Sequence, residues 1–259
     1  MILDRFSLKG KTALVTGSSR GLGAAIAIAL AEAGANVAVH GSGAPAEATR
    51  SKIGGNALAL AGDVADAEVC AQLVDRTIRH FGALDILVNN AGIIAVGAVA
   101  DFSEAQWDRV MAVNAKGPFL CAKACIPHLT KNREGAIVNI ASIAGKKGYG
   151  GLSAYCASKF AVVAFTQALA EELGPANIRV NAVCPGFLRT AMWTEVLNKL
   201  SNLLGASGDE DNLSRIARTN TALQREQTPA DIGEAVVYLA RADNVTGIAL
   251  NVAGGAEVH

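Results

Sequence analysis

The sequence has few charged residues, few aromatic residues and no excess of charge of either sign. Charged residues make up 18% of the 259 residues and aromatic residues 5%, while 23 basic side chains balance 23 acidic ones. A neutral chain has no long-range field to attract nucleic acid or an anionic membrane surface. Because 51% of the residues are hydrophobic, the composition favours a large core over a disordered chain. We therefore expect a folded protein that binds neither nucleic acid nor membrane.

The sequence also contains no C-x-x-C pair, no histidines at metal-ligand spacing and no apolar run of membrane-spanning length. Its cysteines lie in apolar or helical stretches, which is typical of buried, reduced thiols in a cytoplasmic protein. The cysteines are Cys70, Cys121, Cys125, Cys156 and Cys184. The N-terminal residues form neither a basic nor an apolar segment, so we expect no signal peptide. Together these absences predict a cytoplasmic protein without a metal site.

Short β-branched runs alternate with longer helical patterns along the chain. The runs are almost continuously apolar, which predicts strands buried on both faces of a parallel sheet. The predicted strands are Thr12–Thr16, Asn36–His40, Ala57–Ala61, Asp85–Val88, Ala136–Ile140, Arg179–Val183 and Ile248–Val252. The predicted helices are Leu22–Ala33, Ala67–Phe81, Glu104–Thr130 and Ala154–Leu173. This alternation predicts a single α/β domain over residues 1–259, a doubly wound parallel sheet with helices on both faces.

A long polar stretch, from about residue 188 to 227, interrupts the alternation. Connections of this length are usually either functional or disordered. Helical periodicity over Ala191–Leu204 favours a functional segment. Because the stretch follows the carboxyl end of a strand, where ligands bind in such sheets, we expect it to form a substrate lid.

A glycine-rich loop, Thr16–Gly23, directly follows the first predicted strand. Its G-x-x-x-G-x-G spacing lets backbone N–H groups approach a pyrophosphate, and the N-terminus of the following helix stabilises negative charge. A tight turn without a ligand is the alternative interpretation. The candidate cofactor-binding residues of this loop are Gly17, Ser19, Arg20, Gly21, Leu22 and Gly23.

The end of the second strand favours NADP(H) over NAD(H). An NAD site carries an Asp or Glu there for the ribose 2′-hydroxyl, but this strand continues into His40, Gly41 and Ser42, with no carboxylate nearby. Arg20 is available for a 2′-phosphate, although a solvated loop charge is the alternative. NAD(H) stays open as the second cofactor, because His40 and Ser42 suit either nucleotide. Replacing Gly41 with Asp is expected to reverse the preference.

Tyr155 and Lys159 stand four residues apart on a predicted helix, which places both side chains on one face. A phenol with a pKa of about 10 is a weak acid–base catalyst at neutral pH, and a neighbouring cation lowers that pKa. Ser142 follows the fifth predicted strand, where a hydroxyl can hold a substrate oxygen. Asn114 is a polar break in an apolar helical stretch.

In this order and spacing, these residues resemble the short-chain dehydrogenase/reductase family, and the resemblance covers almost the whole chain. It implies a Rossmann fold and a catalytic tetrad of Asn114, Ser142, Tyr155 and Lys159. In that tetrad Ser142 and Tyr155 polarise the carbonyl or alcohol oxygen, and Tyr155 transfers the proton. Lys159 lowers the tyrosine pKa and binds the nicotinamide ribose, and Asn114 holds a water that links Lys159 to solvent.

The resemblance also implies further cofactor contacts, on the adenine side, after the fourth strand and on the nicotinamide side. These residues are Asp63, Val64, Asn90, Ala91, Gly92, Pro185, Gly186 and Thr190. One departure is Ala253, which stands before two glycines where many relatives carry Asp. We expect this difference to alter packing near the C-terminus and to leave catalysis intact.

We therefore expect an NAD(P)(H)-dependent oxidoreductase that transfers a hydride between nicotinamide and a small secondary alcohol or ketone. The segment Ile2–Lys11 looks like that of sugar-acid dehydrogenases, and Met192-Trp193 like that of acetoin and polyol dehydrogenases, which implies a sugar, sugar acid, polyol or diol. The candidate substrate contacts are Ser142, Tyr149, Tyr155, Phe187, Met192 and Trp193.

Two other functions stay open. One is a 3-oxoacyl-(acyl-carrier-protein) reductase, which would dock its partner on a basic surface, although a solvated helix face is the alternative. The basic residues concerned are Lys116, Lys123, Lys131 and Arg133. The other is a catalytically silent NADP-binding regulatory protein, because fold does not imply function.

The helix predicted at Ala154–Leu173 is apolar on nearly all sides. Such a helix must be covered on both sides, by the sheet and by a second subunit. The family resemblance implies that this helix and the preceding one form a tetramer interface. We therefore expect a homotetramer.

Overall fold

Seven parallel strands form one sheet in the computed structural model, which describes residues 6–190, 193, 194, 199 and 211–258. The strands are β1 (Thr12–Val15), β2 (Asn36–Gly41), β3 (Ala57–Ala61), β4 (Ile86–Asn89), β5 (Gly135–Ile140), β6 (Ile178–Pro185) and β7 (Ala249–Val252). Their order is β3-β2-β1-β4-β5-β6-β7. The order reverses between β1 and β4, so a crevice opens beyond the carboxyl ends of these strands, where ligands bind in such sheets. The predicted doubly wound α/β fold is confirmed.

Helices cover both faces of the sheet. They are α1 (Gly21–Glu32), α2 (Glu47–Ile53), α3 (Ala67–Phe81), α4 (Glu104–Met111), α5 (Gly117–Asn132), α6 (Ser153–Leu173), α7 (Asp211–Asn220) and α8 (Pro229–Arg241). On one face, α1 and α8 bury Leu30 and Val236 against the strands. On the other face, α3, α5 and α6 bury Leu73, Leu129 and Leu169. Each such side chain contributes about 1.5–3 kcal/mol by leaving water. Within the described ranges, no helix combines the length and apolar composition that a membrane span requires.

The helix predicted over Glu104–Thr130 is divided in the structure. A π-helical turn at Ala112–Lys116 separates α4 from α5. Asn114 lies in this turn and bonds the backbone of Ile93, and Pro118 follows in the first turn of α5. The extra residue in the turn changes the direction of the side chains that follow, as π turns at functional sites commonly do.

Three helices were not expected from the periodicity: α2, α7 and α8. The short α2 has one fully buried side chain, Thr49, so it lacks an apolar stripe. The start of α8 carries a clear local signal, because Thr228 and Asp231 form a reciprocal capping box and Pro229 occupies the first turn. Within the segment expected as a lid, α7 is a regular helix, whereas most of the helix predicted at Ala191–Leu204 lies outside the described residues.

Candidate active site

The glycine turn after β1 packs closely against the segment after β4. Gly17 and Gly21 have φ of +64° and +55°, which glycine adopts without steric cost. A Cβ on Gly17 would lie 2.7 Å from the Ala91 Cα, and one on Gly23 would collide with the Asn90 side chain and the Gly17 carbonyl. The sequence therefore needs glycine at both positions to bring the turn against β4.

The amino end of α1 opens at this turn with its positive dipole unneutralised. The first turn of α1 has no acidic residue, and Arg20 at the N-cap makes no side-chain capping bond. Ser19, Arg20 and Gly21 are exposed, and Leu22 is half-buried. Unpaired N–H groups at a helix N-terminus bind anions. The turn thus fits a phosphate group, as the sequence predicts.

Thr16 and Asn90 hold the glycine turn in place through hydrogen bonds. The Thr16 hydroxyl accepts hydrogen bonds from the backbone N–H groups of Asn90 and Ala91, at 3.0 and 3.1 Å. The Asn90 amide nitrogen donates to the carbonyls of Thr16 and Gly17, at 2.9 and 3.0 Å. The Asn90 side chain therefore supports the turn by internal bonds.

His40, a predicted cofactor residue at the end of β2, is 1% exposed. Its Nδ1 accepts a hydrogen bond from the Gly17 N–H at 3.1 Å, and its Nε2 donates to the Gly62 carbonyl at 2.8 Å. Gly17 N–H can only donate and the Gly62 oxygen can only accept, so the ring is neutral with its proton on Nε2. Burial lowers the pKa of His40. Both ring nitrogens are engaged inside the protein, which leaves neither for a direct bond to a nucleotide.

The end of β2 presents Ser42 to solvent, whereas Gly41 is buried. A Cβ on Gly41 would collide with the Ala44 carbonyl. The expectation that Gly41→Asp swaps the cofactor is therefore corrected, because that substitution displaces the loop backbone. Ser42 is the position at which a carboxylate fits.

On the adenine side, the Asp63 carboxylate is held by two partners. It accepts from the Ala65 N–H at 3.0 Å and pairs with the Arg109 guanidinium at 2.7 Å. Burial acts to raise the pKa of Asp63, but these two partners outweigh it and lower the pKa. Val64 is buried against Gly117, whose Cβ would lie 3.0 Å from a Val64 methyl. Sequence reasoning missed Arg109, which lies on α4, far from any cofactor motif.

Three predicted catalytic side chains converge at the carboxyl end of β5. Ser142 follows the strand and its hydroxyl accepts from the Ala144 N–H at 3.1 Å. The Ser142 hydroxyl lies near enough to the Tyr155 hydroxyl to act on its pKa. Lys159, one turn along α6 from Tyr155, has its Nζ 5.6 Å from the centre of the Tyr155 ring. The close approach of α6 requires Gly145, because a Cβ there would lie 2.7 Å from the Lys159 carbonyl.

Burial dominates the pKa values of this group. It raises the pKa of Tyr155 to about 12, while the neighbouring Ser142 hydroxyl acts in the opposite direction. Burial also lowers the pKa of Lys159 to about 8. Lys159 Nζ also donates to the Ile140 carbonyl at 2.7 Å. Because the pKa of Tyr155 is about 12, its phenol is protonated at neutral pH.

Asn114 joins this group from the π turn. Its Oδ1 accepts from the Ile93 N–H at 2.8 Å, and its Nδ2 donates to the Ile93 carbonyl at 2.8 Å and to the Ser158 hydroxyl at 3.0 Å. The Ser158 hydroxyl in turn donates to the Tyr155 carbonyl at 2.7 Å. Asn114 thus ties the β4 loop to α6. A Cβ on Gly92 would lie 3.5 Å from Asn114 Oδ1 and 3.7 Å from Lys159 Nζ, so both side chains border the gap beside Gly92.

The predicted nicotinamide-side residues follow β6. A Cβ on Gly186 would lie 2.6 Å from Gln227 Oε1 and 2.9 Å from the Ala253 Cα. Gln227 is buried, and its Oε1 has no hydrogen-bond partner among the described residues. Thr190 accepts from the Trp193 N–H at 3.3 Å. Pro185 ends β6, and Gln227 carries no sequence signal that marks it as part of this region.

Aromatic and aliphatic side chains form a wall beside Ser142 and Tyr155. Phe187 and Trp193 pack edge to face with ring centres 5.8 Å apart. Tyr149 and Trp193 contact both apolar clusters that flank the Ser142 and Tyr155 hydroxyls. Trp193 Nε1 is buried without a partner among the residues described. Met192 lies outside the described residues.

Three comparisons with known proteins agree. The family model described as short chain dehydrogenase matches residues 11–201. Versicolorin reductase 1 of Dothistroma septosporum is 38% identical over 266 aligned positions, which cover 99% of both chains. A 3-oxoacyl-(acyl-carrier-protein) reductase of Staphylococcus aureus is 38% identical, over 95% of this chain and 97% of the relative. The crystal structure of a dehydrogenase/reductase from Sinorhizobium meliloti 1021 has a TM-score of 0.87 at 38% identity, covering 99% of each chain. The chain therefore belongs to the short chain dehydrogenase family, oxidoreductases that act on CH–OH and C=O groups with NAD(P)(H).

Proposed function

We propose that this chain catalyses the reversible reduction of a small ketone to a secondary alcohol, with NADP(H) as the preferred cofactor. The observation that carries this proposal is the convergence of the Ser142 and Tyr155 hydroxyls, with the Lys159 ammonium beside them. The bound nicotinamide supplies or accepts the hydride. The residues of the chain supply the proton, the orientation of the substrate and the exclusion of water.

Tyr155 is the acid in the direction of reduction. Its pKa of about 12 keeps the phenol protonated at neutral pH, yet the phenol is far more acidic than an alcohol. As negative charge develops on the substrate oxygen, the phenol therefore transfers its proton to that oxygen. Ser142 donates a hydrogen bond to the same oxygen and stabilises the developing charge. In the direction of oxidation Tyr155 acts as the base and accepts the proton of the alcohol.

Lys159 and Asn114 support this proton transfer without contacting the substrate. The ammonium of Lys159 stabilises the tyrosinate left by the transfer, and it would also hold the ribose of a bound nicotinamide cofactor. We propose that a water in the gap beside Gly92, which Lys159 and Asn114 border, returns the proton to Tyr155. The three internal hydrogen bonds of Asn114 support this assignment, because they hold its side chain beside that gap.

The cofactor site fits a phosphorylated dinucleotide. The glycine turn has no room for side chains on its inner side, so only backbone N–H groups approach the diphosphate. Arg20 and Ser42 are exposed at the edge where the adenine ribose would lie, and Asp63 is already paired with Arg109. A cation without a competing carboxylate favours NADP(H) over NAD(H).

The wall beside the catalytic hydroxyls favours a small substrate that carries an oxygen besides the reacting one. Phe187 and Trp193 supply apolar surface, while Trp193 Nε1 is a donor without a partner among the described residues. The Tyr149 hydroxyl is a second polar group. A hydroxylated ketone, such as a sugar, sugar acid, polyol or diol in its oxidised form, uses both features. The segment 188–227 is the proposed lid over this substrate.

A 3-oxoacyl thioester is the second candidate substrate. The Staphylococcus aureus relative is 38% identical along nearly the whole chain. Lys116 and Lys123 are exposed on one side of the site, where they can attract an acidic carrier protein. Their position is equally suited to a solvated surface, so the hydroxylated ketone stays the first proposal.

The test is a substrate panel read by NADPH absorbance, with hydroxylated ketones in one arm and acetoacetyl thioesters in the other. We expect turnover of the hydroxylated ketones, lowered at least about 100-fold by Tyr155→Phe with NADPH binding retained. Tyr149→Phe is the matched control, since it removes a phenol of the same pocket and is expected to change KM more than kcat. Preference for the thioesters overturns the substrate class, and full activity of Tyr155→Phe overturns the mechanism.

We further propose that the chain forms a homotetramer through α5 and α6. Phe119 on α5 and Phe160 on α6 are 46% and 45% exposed, and Phe119 packs edge to face on Phe165 with ring centres 6.4 Å apart. Exposed aromatic side chains on neighbouring helices mark an interaction surface. A second copy of the same two helices would cover this surface.

A further inference from the structure

We propose that the neutral His40 ring positions the glycine turn for the cofactor by holding the Gly17 N–H in place. His40 is then a positioning residue that acts through Gly17 and makes no bond to the nucleotide itself. The inference rests on the proposed function, because it takes the turn Thr16–Gly23 as the diphosphate site. Nothing in the glycine spacing demands a histidine 23 residues further on.

The contacts of the ring join three segments that border the cofactor site. Nδ1 accepts from Gly17 N–H at 3.1 Å, and Nε2 donates to the Gly62 carbonyl at 2.8 Å. Gly17 belongs to the turn after β1, and Gly62 follows β3, next to Asp63 of the adenine side. The ring is 1% exposed, so no water competes for either bond. One side chain thus links the diphosphate end of the site to its adenine end.

The backbone around His40 is fixed by separate hydrogen bonds. The Ser18 N–H donates to the His40 carbonyl at 2.8 Å, and the Ser18 hydroxyl accepts from the His40 N–H at 2.9 Å. The same hydroxyl donates to the Val15 carbonyl at 2.7 Å. These bonds survive replacement of the imidazole, so such variants should fold. None of these bonds provides an acceptor for the Gly17 N–H, which the imidazole ring supplies.

Protonation reverses the contact at Gly17. The imidazolium carries a hydrogen on both nitrogens, so Nδ1–H would face the Gly17 N–H, and two donors repel each other. The charged group that faces the ring is Asp63, which is itself paired with Arg109. Burial lowers the pKa of His40 and the Asp63 charge opposes that effect, so the neutral ring persists at neutral pH and is lost on acidification.

Two substitutions test the contacts of the two ring nitrogens separately. In His40→Asn the side-chain oxygen can occupy the place of Nδ1 and accept from Gly17, while the bond to Gly62 is lost. In His40→Gln the longer amide can donate to Gly62 in the place of Nε2, while Gly17 loses its acceptor. The pair differs mainly in the contact that the proposal concerns.

The experiment measures the Kd for NADPH by fluorescence titration without substrate. At neutral pH, His40→Gln is expected to raise Kd about tenfold, the effect of leaving one buried N–H without a partner. His40→Asn is expected to stay within about threefold of wild type. Thermal unfolding of both variants checks that the fold is retained.

A pH series gives a second, independent readout. Because the pKa of His40 is lowered, wild-type Kd should rise more steeply than that of His40→Asn as the pH falls below the ordinary titration range of histidine. The titration of the NADPH phosphate is common to both proteins and cancels in the comparison. Equal Kd values for wild type and His40→Gln, or equal pH profiles for wild type and His40→Asn, would overturn the inference. A wild-type protein that binds neither NADPH nor NADH would instead overturn the proposed function.

Discussion

Replacing Lys159 with Met should remove activity and yet stabilise the fold. Burial lowers the pKa of Lys159 from 10.5 to about 8, and each pKa unit corresponds to about 1.4 kcal/mol. The charged amine is therefore destabilised by about 3 kcal/mol at neutral pH. Its bond to the Ile140 carbonyl, 2.7 Å long, contributes about 1.5–3 kcal/mol as a bond from a charged group. Because the pKa of about 8 already reflects the surroundings of the amine, this contribution is not subtracted in full from the cost of burial.

Met has a similar length and no charge, so it fills the same space without the cost of burying an ammonium. We expect Lys159→Met to raise the free energy of unfolding by about 1–2 kcal/mol at neutral pH, equivalent to a few degrees in Tm. Activity should fall at least about 100-fold. Urea denaturation and NADPH-linked turnover measure the two effects on the same preparation.

The pH dependence separates this explanation from better packing alone. Between about pH 8 and pH 10.5 the unfolded chain binds more protons at this lysine than the native chain does. Wild-type stability should therefore rise with pH across this window relative to the variant, and the advantage of Met should vanish at its upper end. Lys146→Met is the matched control. Lys146 also donates to a carbonyl, that of Ala249 at 2.7 Å, but is partly exposed, so its loss should only destabilise. A Lys159→Met protein less stable than wild type at neutral pH would refute the reasoning.

Two further predictions concern the cofactor and the assembly. Ser42→Asp should lower kcat/KM for NADPH at least about tenfold and favour NADH, because a carboxylate there repels the 2′-phosphate and binds the ribose. Steady-state kinetics with both cofactors measure this change. A wild-type protein that already prefers NADH would contradict the prediction. Light scattering at micromolar concentration should give a tetramer mass for wild type and a smaller mass for Phe160→Glu, which places a charge on the proposed interface; a monomeric wild type would disprove the assembly.

The sheet could be predicted from the sequence because each strand is apolar along most of its length. A strand buried on both faces leaves a nearly continuous apolar run, as in β1 and β5. The pair Tyr155 and Lys159 could be found for a similar reason, since helix geometry fixes their shared face. These signals lie within a few residues of one another, so they need no tertiary contact to be detected.

The rest of the site depends on contacts between distant parts of the chain. The π turn around Asn114 is supported by bonds to Ile93 and Ser158, which are 21 and 44 residues away. The steric block at Gly41 comes from the Ala44 carbonyl, and a backbone atom leaves no trace in composition. The raised pKa of Tyr155 follows from burial, which the four-residue spacing to a lysine does not reveal.

The two ends of the proposed lid are tied together at its base. Leu188 pairs with Gln227 in a parallel bridge, and the Gln227 N–H donates to the Phe187 carbonyl at 3.0 Å. Arg189 pairs with Glu226 at 2.8 Å. A connection whose ends are clamped in this way tolerates changes of length and composition at little entropic cost. Substrate choice can therefore diverge by variation above the clamp, while the hydroxyls and the glycine turn below it keep their geometry.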